Sequence, residues 1–150
     1  MKQEEKQLLL KDLSARLSYG VFCVGITYEL DDDGERYIPI KEKDTLTEIH
    51  NYKLETASVR LGLISSCKLE TVKPYLRPLS SMTEEECIEL DNIETTIENI
   101  YEMIPNAPYY IEVVSSKQID WLNAHHFDYR GLIEKGLAIE ITKENNPYEN

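Results

Sequence analysis

The sequence has few of the residues and patterns that mark redox, metal or nucleotide sites. Its three cysteines are far apart and include no CxxC pair, which disfavours both a disulfide framework and a zinc site. Its six glycines are dispersed, so it has no phosphate-cradling loop or dinucleotide fingerprint. It also has no apolar run as long as a membrane span or a signal sequence. We therefore expect a cytoplasmic protein with reduced thiols, no cofactor and no membrane contact.

Basic residues are absent from one long stretch of the chain. Arg77 and Lys117 enclose a segment that contains nine of the 28 acidic residues and none of the 16 basic ones. The formal net charge of the whole chain is −12. Because this negative field repels phosphate, direct binding of DNA or RNA is disfavoured.

The length and composition of the chain indicate one domain. A chain of 150 residues with 41% hydrophobic and 29% charged residues is near the globular average and buries one core. Its mixture of strand-like and helix-like patterns predicts an α+β domain over residues 1–144, with a mainly antiparallel sheet of four to six strands and about three helices. Residues 145–150 are predicted to form a frayed polar tail.

The chain is predicted to begin with a helix and then a strand. Leucines at helical spacing predict a helix over residues 3–17, and Gly20 ends it. In residues 21–30 the apolar side chains alternate with small or polar ones, which indicates a strand packed on one face. The alternating apolar residues are Phe22, Val24, Ile26, Tyr28 and Leu30.

Two further strands are predicted in the first half of the chain, over residues 35–40 and 57–64. Pro39 lies in the first of them, which indicates an edge strand or a short one. Ser65 or Ser66 is then expected to cap a short turn of helix.

The segment without basic residues is predicted to begin with a long helix, from Thr83 to about Ile104. Thr83 and Glu86 have the spacing of a capping box, and Pro105 ends the pattern. Three glutamates lie one turn apart on this helix: Glu94, Glu98 and Glu102. They form either a solvated outer face or a docking surface for a basic protein partner. A strand over residues 109–114 is predicted to follow.

Rare and reactive side chains are concentrated in residues 121–138, which include the only Trp and two of the three His. His125, His126 and Asp128 offer groups for metal binding or general acid–base catalysis, but their spacing matches no strong metal motif. The structural interpretation explains every residue without a ligand. In it, Asp128 caps a short helix, the histidines lie at a helix end, and Trp121 packs in the core with its aromatic neighbour.

Three segments of the chain are distinctive: LLLKDLSARL (8–17), VKPYLRPLSSMTEEE (72–86) and DWLNAHHFDYRGLIEKGLAIE (120–140). They resemble a group of short proteins of phages, prophages and mobile elements of gut Bacteroides-type bacteria. That group supplies no established activity. The resemblance implies a bacterial host cell and a small acidic protein that binds host or phage proteins.

The leading functional hypothesis is a non-enzymatic accessory protein that binds an unknown protein partner and modulates it. The expected contacts are the three glutamates of the acidic helix or the surface of residues 121–136, with no catalytic or metal-binding residue assigned. The candidate binding residues of that surface are Trp121, His125, His126, Asp128, Tyr129 and Arg130. The alternatives are a small metal-dependent hydrolase that uses His125, His126 and Asp128, and a protein that sequesters a nucleotide or small molecule. The oligomeric state is left open.

Overall fold

The structure, a computed structural model, describes residues 1–50, 53–93 and 116–149. The helices in these ranges are α1 (Gln3–Arg16), α2 (Glu84–Asp91) and α3 (Ser116–Ala124). The strands are β1 (Phe22–Leu30), β2 (Tyr37–His50), β3 (Ser58–Leu61), β4 (Ser65–Lys68), β5 (Lys73–Pro78), β6 (Phe127–Asp128) and β7 (Ile139–Glu140). The predicted α+β class with a mainly antiparallel sheet is confirmed. None of these helices has the length and apolar character needed to cross a membrane.

The strands form one sheet in the order β4-β3-β2-β1-β5-β6, and β7 pairs with β5. The pairs from β4 to β5 are antiparallel, whereas β6 and β7 run parallel to β5. The longest ladder joins β1 to β2 and ends where Leu30 pairs with Tyr37. β2 continues to His50, so the predicted strand over residues 35–40 was too short. The prediction depended on alternation of apolar and polar side chains, and the charged residues that follow Ile40 interrupt that pattern.

One face of β1, here called the inner face, carries Cys23 and Gly25 and lies against the core. Leu9 and Leu13 of α1 belong to the same core cluster as Cys23. A Cβ on Gly25 would lie only 2.7 Å from the Cys67 Sγ atom of β4. Because Gly25 has no side chain, the sheet curls until β4 packs across β1.

The region after β2 differs from its prediction. Residues 57–64 do not form one strand, because the chain turns at Gly62, whose φ is 59°, and β4 returns beside β3. Ser65 therefore begins a strand and caps no helix. The expected helix is reduced to a single 3-10 turn, Leu69–Thr71. Two strands of four residues give too few alternations to separate a hairpin from one longer strand.

The acidic helix begins as predicted and ends early. The Thr83 hydroxyl accepts a hydrogen bond from the Glu86 N–H at 3.2 Å, and the Glu86 carboxylate accepts one from the Thr83 N–H at 2.9 Å. The prediction of one continuous helix to Ile104 was wrong, because α2 ends at Asp91 and Asn92 leads into a turn. The acidic side chains of its last turn oppose the helix dipole, which favours this early end.

The C-terminal tail differs from its prediction. The tail is not frayed at Tyr148, whose hydroxyl accepts from the Phe22 N–H at 3.0 Å and donates to the Tyr75 carbonyl oxygen at 3.1 Å. The strand predicted over residues 109–114 lies outside the described residues.

Candidate functional site

The aromatic residues of the sequence-predicted site surround the end of α3. The Trp121 ring stacks on His125 with centroids 3.9 Å apart and on Phe127 at 5.8 Å. The His125 Nδ1 atom lies 2.8 Å from the Trp121 carbonyl oxygen. Phe127 is fully buried, with the Arg77 guanidinium 4.1 Å from its ring centroid. These contacts are those of internal packing, as the structural interpretation of the segment predicts.

His126 is held in an unusual backbone conformation beside the C-terminal tail. Its φ is 61°, which is the only positive value at a non-glycine residue within residues 1–50, 53–93 and 116–149. Its ring stacks on Tyr148 with centroids 3.9 Å apart, and its buried Nδ1 atom has no hydrogen-bond partner there. Burial, followed by the positive charge of Arg16, lowers the pKa of His126 to about 4. The ring is therefore neutral at pH 7 and far from the pKa that suits a general base.

Asp128 uses both carboxylate oxygens to hold the turn that follows β6. Its Oδ1 atom accepts from the Leu132 N–H at 2.9 Å and its Oδ2 atom accepts from the Ile133 N–H at 2.8 Å. Asp128 therefore caps a turn, where the sequence predicted a short helix. Coordination of a metal would compete with both bonds. Across the part of the chain that the structure describes, no group of three His, Cys, Asp or Glu side chains is arranged to hold a metal ion.

Arg130 and Tyr129 belong to a buried ion cluster that ties the C-terminal part to α1. Asp12 accepts from Arg130 Nη1 at 2.9 Å and from Arg16 Nε at 2.8 Å. Asp12 and Arg16 are both 0% exposed, and Arg16 Nη2 donates to the Phe127 carbonyl oxygen at 2.7 Å. The Arg130 guanidinium also lies 4.5 Å from the centroid of the Tyr129 ring. No sequence pattern indicated this cluster, since Asp12 and Arg16 are typical of the solvated side of a helix.

Only part of the segment predicted to form the acidic helix lies within the described residues. Arg77 donates to both oxygens of Glu86, at 2.7 and 2.8 Å, and these hydrogen bonds are the main reason why the pKa of Glu86 is lowered to about 2. This glutamate is therefore part of the fold. Glu94, Glu98 and Glu102 lie outside the described residues, so their role in docking stays a prediction.

The opposite side of the β1–β2 hairpin is apolar and, beyond the buried Val24, open to solvent, and the sequence did not single it out. This outer face consists of Val24, Ile26, Tyr28 and Leu30 of β1 with Tyr37, Pro39, Lys41 and Lys43 of β2. Tyr28, Leu30 and Tyr37 are 51%, 53% and 70% exposed. The alternation in residues 21–30 therefore predicts the strand correctly but not the face that packs. The small residues Cys23 and Gly25 face the core instead.

A groove of about 610 Å³ lies on the outer face next to the start of β5. Its lining includes Val24, Ile26, Pro39 and Ile139 and two charged residues, Lys41 and Lys73. On the same face the Lys43 Nζ atom lies 4.8 Å from the centroid of the Tyr75 ring. The outer face therefore carries positive charge in a chain whose formal net charge is −12.

One sequence signal marks this separation of charge. Residues 41–44 read Lys-Glu-Lys-Asp, and successive side chains of a strand point to opposite faces. A strand through these residues must place Lys41 and Lys43 on one face and Glu42 and Asp44 on the other. The register of β2 against β1 confirms this arrangement.

Comparisons of this chain with protein-family models, with curated proteins and with solved structures gave no match.

Proposed function

We propose that this chain is an accessory protein of a phage or mobile element that acts without catalysis, by binding another protein through the outer face. The exposed aromatic and aliphatic side chains of Tyr28, Leu30 and Tyr37 carry this proposal. Contiguous exposed apolar residues are typical of protein interfaces, in which tyrosine is enriched. The mobile-element setting depends on the sequence resemblance alone.

The outer face is better supported than the surface of residues 121–136. In that surface the side chains of Trp121 and Asp128 already contact neighbours within the segment, and those of His126 and Arg130 contact Tyr148 and Asp12. Their use in binding would require these contacts to break. The apolar side chains of the outer face need no such rearrangement.

The charge of the outer face limits the class of partner. Lys41, Lys43 and Lys73 lie on this side of the sheet, and a complementary partner presents acidic groups beside apolar ones. The large negative charge of the whole chain disfavours nucleic acid. We therefore expect a protein partner whose contact surface is both apolar and acidic.

Affinity capture with matched variants tests this proposal. Three forms of the chain are immobilised. They are the wild type, the outer-face variant Tyr28→Ser/Leu30→Ser, and a control variant, Glu29→Ser/Ile38→Ser, with substitutions on the opposite face of the same hairpin. Each is exposed to a lysate of a gut Bacteroides-type bacterium. A captured protein is then purified, and its dissociation constant is measured for all three chains.

The proposal predicts at least tenfold weaker binding for the outer-face variant and no change for the control. Circular dichroism and thermal melting of each variant establish that the fold is intact. Equal affinity of the purified partner for all three chains would contradict the use of the outer face.

A small molecule in the groove is the second candidate function. Its volume of about 610 Å³ lies within the usual range for ligand sites, and Lys41 and Lys73 provide contacts for an anionic group. A screen of nucleotides by thermal shift tests it, with Lys73→Ala as the matched variant. An increase in melting temperature that is lost in Lys73→Ala supports this candidate, and no increase with any nucleotide counts against it.

A further inference from the structure

Among the described residues, β5 pairs with only part of the β1 edge that faces away from β2. The Leu46 N–H donates to the Val21 carbonyl oxygen at 2.9 Å at one end of the β1–β2 ladder, and the Asp31 N–H donates to the Arg36 carbonyl oxygen at 2.8 Å beyond its other end. Bonded pairs alternate along an antiparallel ladder. The odd-numbered residues of β1 therefore bond to β2, and the even-numbered ones direct their N–H and C=O groups away from it.

Two even-numbered residues of β1 show where these outward groups are satisfied. The Phe22 N–H donates to the Tyr148 hydroxyl at 3.0 Å, and the Ile26 N–H donates to the Thr71 hydroxyl at 3.2 Å. Tyr28 and Leu30 lie beyond the last residue of β1 that pairs with β5, which is Val24. No described residue bonds to their outward backbone groups. Within residues 1–50, 53–93 and 116–149, their two N–H and two C=O groups thus form an open strand edge beside exposed apolar side chains.

The other free edge of the same hairpin is protected against strand pairing. Pairing of β2 with β3 begins at Leu46. In the part of β2 before Leu46, the odd-numbered residues direct their backbone N–H and C=O groups away from β1. Pro39 has no N–H to offer at this edge, and Lys41 and Lys43 place charge along it. Proline and lysine are the usual means by which proteins block an edge. The β1 edge has neither between Ile26 and Leu30.

We propose that the edge of β1 at Tyr28 and Leu30 binds a partner protein as an added β-strand, and that the added segment is extended, β-branched and acidic at one end. This inference rests on the proposed function, because it specifies how the outer face binds. An added strand supplies main-chain hydrogen bonds for affinity and alternate side chains for specificity. Residues directly opposite Tyr28 and Leu30 share the outer face with them and favour β-branched side chains.

The acidic end follows from the position of Lys73. An added strand antiparallel to β1 runs in the direction of β5, so its C-terminal end approaches Thr71 and Lys73. Acidic residues at that end are complementary to Lys73. A second copy of this chain fits less well, because it brings its own lysine-bearing face and another net charge of −12.

The probe is the peptide acetyl-TVTVTEE-amide, added to the full isotope-labelled chain. We expect saturable shifts of the Tyr28 and Leu30 amide resonances and at least tenfold slower hydrogen exchange at both. Only the peptide residues opposite these two amides bond to β1. N-methylation of both valines should therefore weaken binding at least tenfold, whereas N-methylation of the threonines should leave it unchanged. Replacement of both glutamates by lysines should also weaken binding.

A variant of the chain provides the complementary test. Leu30→Pro removes one outward N–H and leaves the bonds to β2 intact, as Pro39 does in β2. It should weaken peptide binding at least tenfold, while Leu30→Val, which keeps the N–H, should not. Amide resonances of β2 establish that the hairpin is unchanged in both variants.

Three outcomes of the peptide experiments would overturn the proposal. The first is slow hydrogen exchange of the Tyr28 and Leu30 amides in the peptide-free chain. If a dimer causes this slow exchange and Leu30→Pro abolishes the dimer, the occupant of the edge is a second copy of the chain. The second is equal binding of both N-methylated peptides, and the third is the absence of saturable shifts. If a captured partner binds the Tyr28→Ser/Leu30→Ser variant more weakly than the wild type but binds Leu30→Pro with unchanged affinity, the proposed function holds and strand addition is rejected.

Discussion

The two faces of β1 differ in burial, and the difference is opposite to the one that the hydrophobicity of their side chains predicts. Cys23 and Gly25 of the inner face are buried against α1 and β4, whereas Glu29 at the far end of that face is exposed. The outer face carries Ile26, Tyr28 and Leu30, which are 37%, 51% and 53% exposed. The comparison shows that the space left by neighbouring elements, rather than the larger apolar side chain, decides which face of a strand packs. It also explains why large apolar side chains of the outer face stay exposed.

The largest predicted effect concerns the ion cluster on the inner side of the sheet. Replacement of Asp12 by alanine leaves Arg16 buried beside Arg130 without its counter-charge. Removing one partner from a buried ion pair costs about 3–5 kcal/mol, and we expect this loss in the free energy of unfolding from urea titration. Glu70→Ala is the control, because it removes a partly exposed carboxylate that pairs with Lys6 and should cost about 0–1 kcal/mol. Equal losses in the two variants would show that the cluster contributes no more than a surface pair.

A pair of adjacent substitutions tests the comparison of the two faces directly. Gly25→Ala places a Cβ 2.7 Å from Cys67 Sγ, and overpacking of this kind costs about 1–3 kcal/mol. The φ of Gly25 is not positive, so the backbone gives no separate reason for the loss. Ile26→Ala removes a larger side chain from the outer face and should cost less than about 1 kcal/mol. A greater loss in Ile26→Ala, measured by urea titration, would reverse the assignment of the faces.

The pH dependence of stability tests the packing where the C-terminal tail meets β1. The unfolded chain binds a proton on His126 as the pH falls through about 6.5, but the folded chain binds it only near its pKa of about 4. The free energy of unfolding should therefore fall as the pH is lowered across this interval. His126→Asn keeps a residue that tolerates positive φ and should show a smaller decrease between pH 7.5 and 5. The same decrease in both proteins would mean that His126 is not buried as described.

The sequence predicts the strands better than the way in which they pack. Alternation located β1, and the capping box at Thr83 and Glu86 located the start of α2, because both signals are local. The curl of the sheet at Gly25 depends on a contact with Cys67, which is far away in the chain. No pattern within residues 21–30 contains that information.

The candidate site shows the same division between local and long-range information. The structural role of Asp128 was predictable, since its carboxylate caps residues four and five positions later. The pairing of Asp12 with Arg130 joins opposite ends of the chain, so the sequence did not suggest it. The lysines of the outer face were encoded in the alternation of residues 41–44, but their meaning required the register of β2.

The smallest predicted effect concerns two exposed apolar residues at the β3–β4 turn. Leu63 and Ile64 are 91% and 87% exposed, so they resemble the outer face in exposure but lie on a turn and not on a free strand edge. Leu63→Ser/Ile64→Ser should change the free energy of unfolding by less than about 0.5 kcal/mol and should not weaken binding of the acidic peptide. A tenfold loss of peptide affinity in this variant would show that exposed apolar residues suffice for binding. An unchanged affinity, together with the loss expected for Leu30→Pro, would assign binding to the open edge of β1.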